Sequence, residues 1–216
     1  IKNVNGQRYI GDGITGDARL ILEGTPGNDM AAYMDGLKLV VRGNAQDAIG
    51  NTMNEGTIVV HGHAGDTVGY AMRGGKIFIR DSVGCRVGIH MKEYMDKVPA
   101  IVIGGKAGDF LGEYMAGGVL IVLGLRLGEG ERVVGAYCGT GMHGGVMYIR
   151  GEVQDYQLGQ QVQVAEMTAG DIAKVRAFVS ENVANFGGDV DEIMAKPFIK
   201  LVPSSESPYK SLYCGW

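Results

Sequence analysis

The sequence has few cysteines and prolines, and it has no long apolar or basic runs. Its three cysteines, Cys85, Cys138 and Cys214, are too far apart for a CxxC metal or iron–sulfur motif. Their odd number argues against a disulfide framework and favours a reducing compartment, so a cytoplasmic protein is expected. Without a Lys/Arg-rich run, no nucleic acid partner is expected. No apolar stretch reaches the roughly 18 residues that span a bilayer, so no membrane partner is expected.

The N-terminal residues IKNVNGQRY also lack the segments of a signal peptide, and the start at Ile1 leaves room for a preceding piece. Glycine, by contrast, is abundant, with 37 among 216 residues against a usual share of about 7%. The five prolines and the charged fraction of 20% exclude a collagen repeat and a disordered linker. A folded architecture that uses glycine repeatedly is therefore indicated.

Short β-branched runs recur along the chain and end in glycine or a near substitute. The first four are ARLILEG, LKLVVRG, GTIVVHG and GKIFIRD, and their last residues, Gly24, Gly43, Gly62 and Asp81, are spaced by 19. Three further runs end at Gly105, Gly124 and Gly151, which implies insertions of five, none and eight residues. Seven copies of a 19-residue repeat are thus predicted, with the first insertion at the loop 92–97 around Tyr94.

Two further columns keep the same register. One consists of Gly50, Gly69, Gly88, Gly112 and Gly135, and the other of Met34, Met53, Met72, Met91 and Met115, with Cys138 assigned to the same position. A repeat with one strand cannot bury a face alone, so its copies must stack into a solenoid. Parallel crossovers are right-handed by strong preference. The predicted fold class is all-β, a single-stranded right-handed parallel β-helix of about seven rungs with a C-terminal α-helical cap.

Within each strand, alternation predicts which side chains face the interior. The inward pairs form aliphatic ladders: Leu39/Val41, Ile58/Val60, Ile77/Ile79, Ile101/Ile103, Leu120/Val122 and Met147/Ile149. A calcium-binding nonapeptide roll is not favoured, because Asp47, Asp66 and Asp109 recur only once per repeat and Cys85 interrupts their column. We interpret these aspartates as turn residues that bond their own backbone.

The repeat ends after Gly151, and residues 1–165 and 166–216 are predicted as two domains. Thr168 and Asp171 form a capping box that opens a helix, which ends at Gly187 and Gly188. Its apolar face comprises Ile172, Val175, Phe178, Val179 and Val183. A second helical piece stops at Pro197, and an irregular tail with a strand-like start follows. This region is expected to cap the last rung.

The strand residues that face outward form an apolar stripe, where a solvated face should be polar. They are Val40, Val59, Phe78, Val102, Ile121 and Tyr148. The stripe is a candidate interface: it is covered by the C-terminal helix, by a partner, or by both. A column of Arg42, His61, Arg80 and Arg150 beside it is interpreted as a solvated or salt-bridged rim.

Motifs for catalysis are weak. The letters from Gly11 to Gly16 match GxGxxG, but a strand follows where a dinucleotide site needs a helix N-terminus. His61 and His63 lie two residues apart, and neither His90 nor His143 has a metal-ligand spacing to them. No nucleophile–base arrangement is recognisable. Catalytic, cofactor-binding and metal-binding residues are therefore all predicted as none.

The segments GDTVGYAMRGGKIFIR, GDFLGEYMAGGVLIVLG and GTGMHGGVMYIRG closely resemble the C-terminal GXGXG β-helix domain of the glutamate synthase large subunit. In that family the glutaminase nucleophile, the FMN site and the iron–sulfur cluster lie in other domains. The resemblance implies a stand-alone, non-catalytic subunit of an oxidoreductase complex. It would position glutaminase and FMN-binding synthase subunits for ammonia transfer to 2-oxoglutarate, with FMN and the iron–sulfur cluster on those partners.

The same domain occurs as one of the subunits of formylmethanofuran dehydrogenase and in methylamine–glutamate methyltransferase, so a component of either complex is the alternative. In the dehydrogenase the coil abuts a molybdenum or tungsten subunit. A third possibility is an independent ligand-binding solenoid that uses the His61/His63 edge. A homo-oligomer also stays open.

Overall fold

The structure is a computed structural model that describes residues 1–128 and 130–204. Cys214 and the tail beyond residue 204 lie outside the described residues. The described part is predominantly β, with ten strands in one sheet and two helices. The strands are β1 (Val4–Asn5), β2 (Arg19–Thr25), β3 (Asp35–Arg42), β4 (Glu55–Val60), β5 (Lys76–Ile79), β6 (Ala100–Ile103), β7 (Ala116–Val122), β8 (Gly144–Arg150), β9 (Val162–Ala165) and β10 (Phe198–Pro203).

Strands β2 to β8 lie parallel to one another in chain order. Leu39 pairs with Ile58 and Ile58 with Ile77, a step of 19 residues each time. The predicted insertions lengthen the step where expected, between β5 and β6 and between β7 and β8. The segments between the strands also stack, since the Gly50 amide donates to the Met30 carbonyl. The chain thus coils back to the sheet once per repeat.

The interior of the coil is lined by the predicted aliphatic ladders and methionines. All twelve ladder residues and all five methionines of the column are fully buried and belong to one core cluster. Because a methionine side chain is flexible, it can fill the irregular corner between a strand and the following turn. The prediction that the aliphatic ladders and the methionine column form the core is confirmed.

The predicted alignment after the second insertion was wrong. The Met115 amide donates to the carbonyl three residues earlier, and the equivalent bond in the next turn runs from Met142 to Gly139. Gly139 and Met142 therefore occupy the positions that were assigned to Gly135 and Cys138. The inserted residues lie before this turn and move its glycine and methionine positions, while Met147 and Ile149 keep the predicted strand pairing. Cys138 is nevertheless buried in the core, and burial raises the pKa of its thiol to about 12.

The return turns use left-handed backbone at alternate positions. In one turn Ala48, Gly50 and Thr52 have φ angles of 57°, 68° and 53°. A Cβ on Gly50 would lie 2.6 Å from Ile77 Cδ1 of the next repeat, so both conformation and space require glycine there. This repeated turn explains part of the high glycine content.

The recurring aspartates bond the next turn of the chain rather than their own backbone, which corrects the prediction. Asp47 Oδ1 accepts from the Asp66 amide at 2.9 Å, and Asp66 Oδ1 accepts from the Cys85 amide at 2.8 Å. Asp109 Oδ1 does the same for the Ala136 amide at 2.8 Å. A carboxylate oxygen is a strong acceptor for an amide. The aspartate column therefore connects successive turns.

The C-terminal helices are α1 (Ala169–Phe186) and α2 (Val190–Ala195). The predicted capping box is confirmed: the Asp171 amide donates to Thr168 Oγ1 at 3.1 Å, and the Thr168 amide donates to Asp171 Oδ2 at 2.9 Å. Val175 and Val179 are buried as predicted, but Ile172 is exposed, because the buried side of the helix consists of Asp171, Val175, Val179 and Asn182 and Ile172 lies outside it. Neither helix is long and apolar enough to cross a membrane.

After the helices the chain returns to the sheet as β10. This strand lies antiparallel between β8 and β9, with Leu201 paired to Met147 on one side and to Val164 on the other. It covers the edge that the last parallel strand would otherwise expose. Strands from both predicted domains therefore share one sheet.

Candidate functional site

The predicted outer stripe forms one continuous column across the sheet. The pairing runs from Val40 through Val59, Phe78, Val102 and Ile121 to Tyr148. All six side chains are buried, the most exposed being Val40 at 7%. The structure therefore brings together every residue of the candidate interface.

Helices α1 and α2 cover most of this stripe. Phe78, Val102, Ile121 and Tyr148 form a second apolar cluster with Val175 and Val179 of α1 and Ile193 of α2. This cluster is separate from the interior of the coil. A partner on this side would meet the outer surface of the helices rather than the six stripe side chains.

A buried polar network fixes α1 on the sheet. Tyr148 Oη donates to Asp171 Oδ1 at 2.5 Å, and Lys200 Nζ of β10 donates to Asp171 Oδ2 at 2.8 Å. Lys200 and the capping Thr168 hold the pKa of the Asp171 carboxyl well below its usual range. Burial, together with the bond to Asp171, raises the pKa of Tyr148 well above its usual value. The network stabilises an ionised carboxylate beside a neutral phenol, and these contacts attach α1 to the sheet.

The cationic column beside the stripe is a rim with internal partners. Arg80 pairs with Asp81 at 2.8 Å, and Arg42 lies 3.7 Å from Glu23. Arg150 Nε donates to the Ile193 carbonyl at 2.7 Å and so attaches α2. These contacts agree with the interpretation of a salt-bridged rim.

The histidines do not form a metal site in the described part of the chain. The His61 ring packs edge-on against Phe186, with ring centroids 5.1 Å apart. Burial and the neighbouring arginines lower the pKa of His61. His63 Nδ1 accepts from the Ser82 amide at 3.2 Å, so His63 connects two turns of the coil. Among residues 1–128 and 130–204, no group of three or more His, Cys, Asp or Glu side chains could hold a metal ion.

The GxGxxG letters lie in a turn followed by β2, which confirms that no helix N-terminus stands behind the glycines. A cleft of about 400 Å³ lies elsewhere, between the start of β3 to β5, the loop 92–97 and α1. Its lysines are paired: Lys97 with Glu55 at 2.8 Å, and Lys76 with Glu181 at 2.7 Å. Ion pairs thus join the walls of the cleft.

The return turns carry a second surface that the sequence reasoning missed. The His90 and Tyr114 rings stack at 5.3 Å and 11°, Tyr70 meets His90 edge-on at 5.8 Å, and Phe110 and Tyr137 stack at 5.0 Å and 17°. We call these five residues the aromatic ridge. The repeat contains a pattern that points to this surface, since aromatic residues recur at equivalent turn positions. His90 and Tyr114 share one left-handed position of the turn, and Phe110 and Tyr137 share another.

Comparison with known proteins places these features in one family. A family model described as the GXGXG motif matches residues 1–204. The uncharacterized protein MJ1350 of Methanocaldococcus jannaschii is 46% identical over 219 residues, which cover 99% of this chain and 84% of that protein. The matched region contains all ten strands and both helices, so the helical cover of the stripe lies within it.

Proposed function

Because this chain belongs to the GXGXG motif family, we propose that it is a non-catalytic structural subunit of a glutamate synthase-type complex. It holds a glutaminase subunit and an FMN-binding synthase subunit in fixed positions. The observation that carries the proposal is the match to the GXGXG motif family across residues 1–204, and the resemblance of its repeated segments to a glutamate synthase domain supports the type of complex. FMN and the iron–sulfur cluster belong to the partner subunits, and the complex is cytoplasmic.

We also infer that the coil is a right-handed parallel β-helix of about seven rungs. The support is the series of seven successive parallel strands, β2 to β8, whose intervening turns hydrogen-bond from one repeat to the next. Such a body is stiff, because each repeat is held to its neighbours along its entire length. Stiffness is what a spacer between two active sites needs.

The contribution of the subunit to the reaction is positional. Ammonia released by a glutaminase reaches 2-oxoglutarate efficiently only if the two active sites keep a fixed separation, since free diffusion would dilute it. In the candidate site, the buried polar groups of Tyr148, Asp171 and Lys200 serve the attachment of α1. Their use in packing fits a subunit whose partners perform the chemistry.

The test is reconstitution with glutaminase and FMN-binding synthase subunits from the same organism. We expect one complex in size-exclusion chromatography and glutamate formation from glutamine. Omission of this chain should abolish glutamine-dependent synthesis and leave synthesis from added ammonia intact. A chain that elutes alone, or a glutamine-dependent rate that is equal without it, contradicts the proposal. Association instead with a pterin-containing molybdenum or tungsten subunit would assign the chain to the formylmethanofuran dehydrogenase type.

A further inference from the structure

The aromatic ridge is an ordered and solvent-exposed surface. Tyr70, Tyr114 and Tyr137 are 39%, 46% and 54% exposed. Tyr114 packs between His90 on one side and Gly141 on the other, where a Cβ would collide with its ring. Because the rings are already fixed by their neighbours, the ridge side chains would lose little conformational entropy when a partner binds. Exposed tyrosines of this kind are typical of the energetic centres of protein interfaces.

The orientation of the rings indicates how a ligand would approach. In the stacked pairs one face of each ring is directed at its partner ring, and Gly141 and Arg86 pack against the rings of Tyr114 and Phe110, so little ring face is left for a ligand to stack on. Sugars and nucleic acid bases use the faces of aromatic rings. Ring edges and hydroxyls suit the hydrogen-bonding groups and side chains of a polypeptide. The geometry therefore favours a protein partner.

The chain itself shows which side chain this surface accepts. The Arg86 guanidinium lies 4.7 Å from the Phe110 ring centroid, and its Nε donates to Glu113 Oε2 at 3.0 Å. One end of the coil repeats the arrangement, with Arg8 4.8 Å from the Tyr9 ring centroid and 3.0 Å from an Asp29 oxygen. An aromatic ring beside a carboxylate thus holds a guanidinium twice on these turns.

The exposed aspartates beside the ridge also indicate a basic ligand. Asp47, Asp66 and Asp109 are exposed and directly precede the left-handed position that carries Phe110 and Tyr137 in later turns. Each uses Oδ1 to connect to the next turn. Arg8 and Arg86 on these turns are already paired with carboxylates. The aspartates therefore give the ridge side a negative charge that complements a basic partner.

We propose that the aromatic ridge and the three aspartates dock an arginine-bearing segment of a partner protein. This inference rests on the proposed function, in which the partner is a subunit of the complex. Arginines of that segment donate to the tyrosine hydroxyls of the ridge and pair with the aspartates, as Arg86 pairs with Glu113. The helix-covered side of the coil is then not the contact surface.

The test uses the whole chain and a fluorescein-labelled ten-residue peptide with five arginines, together with its lysine counterpart. We expect the arginine peptide to bind more tightly than the lysine peptide in fluorescence polarisation. Tyr114→Ala should weaken binding about tenfold or more. Tyr94→Ala, which removes an exposed tyrosine outside the ridge, should leave it unchanged. Equal binding of both peptides, or an equal effect of both variants, would show general charge attraction and overturn the proposal.

Two further variants separate the ring from the charge and guard against misfolding. Tyr114→Phe keeps the ring stack and removes only the hydroxyl, so a folded Tyr114→Phe with weaker binding supports a direct contact. Asp66→Asn with Asp109→Asn keeps both Oδ1 acceptors and removes two charges, so binding should weaken and depend less on salt. Unchanged binding in all three variants overturns the proposal.

Reconstitution with the glutaminase and FMN-binding subunits distinguishes this inference from the proposed function. If the complex forms and Tyr114→Ala does not weaken it, the ridge is not the contact and the structural role stands. If the arginine peptide binds through the ridge and those subunits do not associate, the ridge stands and the complex was wrongly assigned. Self-association of the chain that Tyr114→Ala abolishes would give the ridge to a second copy and overturn the inference.

Discussion

Removal of the Asp171 carboxylate should loosen the attachment of α1 to the sheet. Asp171 lies at the start of α1 and accepts hydrogen bonds from Tyr148, Lys200 and the capping Thr168. Its side chain is 9% exposed and that of Lys200 is 19% exposed. Asp171→Ala therefore leaves a nearly buried ammonium and a buried phenol hydroxyl without their partner, and it also removes half of the capping box.

The expected cost follows from these contacts. Loss of one partner of a buried ion pair costs about 3–5 kcal/mol, because the remaining charge stays desolvated. Part of this loss overlaps with the capping contribution of about 1 kcal/mol, so the two are not summed. We therefore expect the free energy of unfolding to fall by about 3–5 kcal/mol. Tyr148→Phe, which leaves the Asp171–Lys200 pair intact, should cost only about 1–2 kcal/mol.

Urea unfolding at pH 7, followed by circular dichroism, measures these differences. Asp191→Ala is the matched control, because Asp191 is also an aspartate near a helix start and pairs with Arg176 at 2.6 Å, yet its side chain is 84% exposed. That variant should change the free energy of unfolding by less than about 1 kcal/mol. If Asp171→Ala costs no more than Asp191→Ala, the buried network does not hold the helix, and the reasoning is refuted.

Three other predictions concern pH, packing and backbone. Because the folded-state pKa of Asp171 is lowered, its contribution to the free energy of unfolding is complete above the unfolded pKa of about 3.9 and is lost as the pH falls from there through the folded-state pKa. When the free energy of unfolding is measured against pH, Asp171→Asn should therefore lose less stability in acid than the unchanged protein does. Met72→Ala should cost about 2–5 kcal/mol in urea unfolding, and Met95→Ala, at an 85% exposed loop position, less than about 0.5 kcal/mol. Gly13→Ala and Gly50→Ala both place alanine at positive φ, but only Gly50 has a neighbour in the way, so thermal unfolding should show a larger loss for Gly50→Ala. Equal melting temperatures would contradict that contribution of close packing.

The inside of the coil was predictable because it follows a strict local rule. Side chains alternate along a strand, so a run such as LKLVVR with a glycine after it identifies Leu39 and Val41 as inward without any knowledge of the fold. The 19-residue spacing then carries this assignment from repeat to repeat. The prediction failed only after the second insertion, where Cys138 was placed in the methionine column. Sequence spacing gives the length of an insertion but not the side of the turn on which it lies.

The contacts between distant parts of the chain were not predictable in the same way. The capping box placed Thr168 and Asp171 together because they are three residues apart, but Lys200 reaches Asp171 only through the antiparallel return of β10. The aromatic ridge depends on left-handed turn positions that direct consecutive rings outward. Since tyrosine is uncommon in that conformation, its presence there is not expected from local preference. Such groupings come from the stacking of repeats.

The two sides of the coil differ in how far their interactions are satisfied within the chain. On the helix side, most of the stripe is buried under α1 and α2, and the arginines of the rim contact Glu23, Asp81 or backbone carbonyls. On the turn side, three aspartates and the tyrosines of the aromatic ridge are exposed to solvent. A structural subunit must be stable by itself and also bind its partners, and these demands conflict when one surface serves both. Because Asp171 and Tyr114 belong to different clusters and share no contact in the described chain, changes at the two positions should act independently, one on unfolding and the other on association. Stability and assembly can then vary separately in this fold.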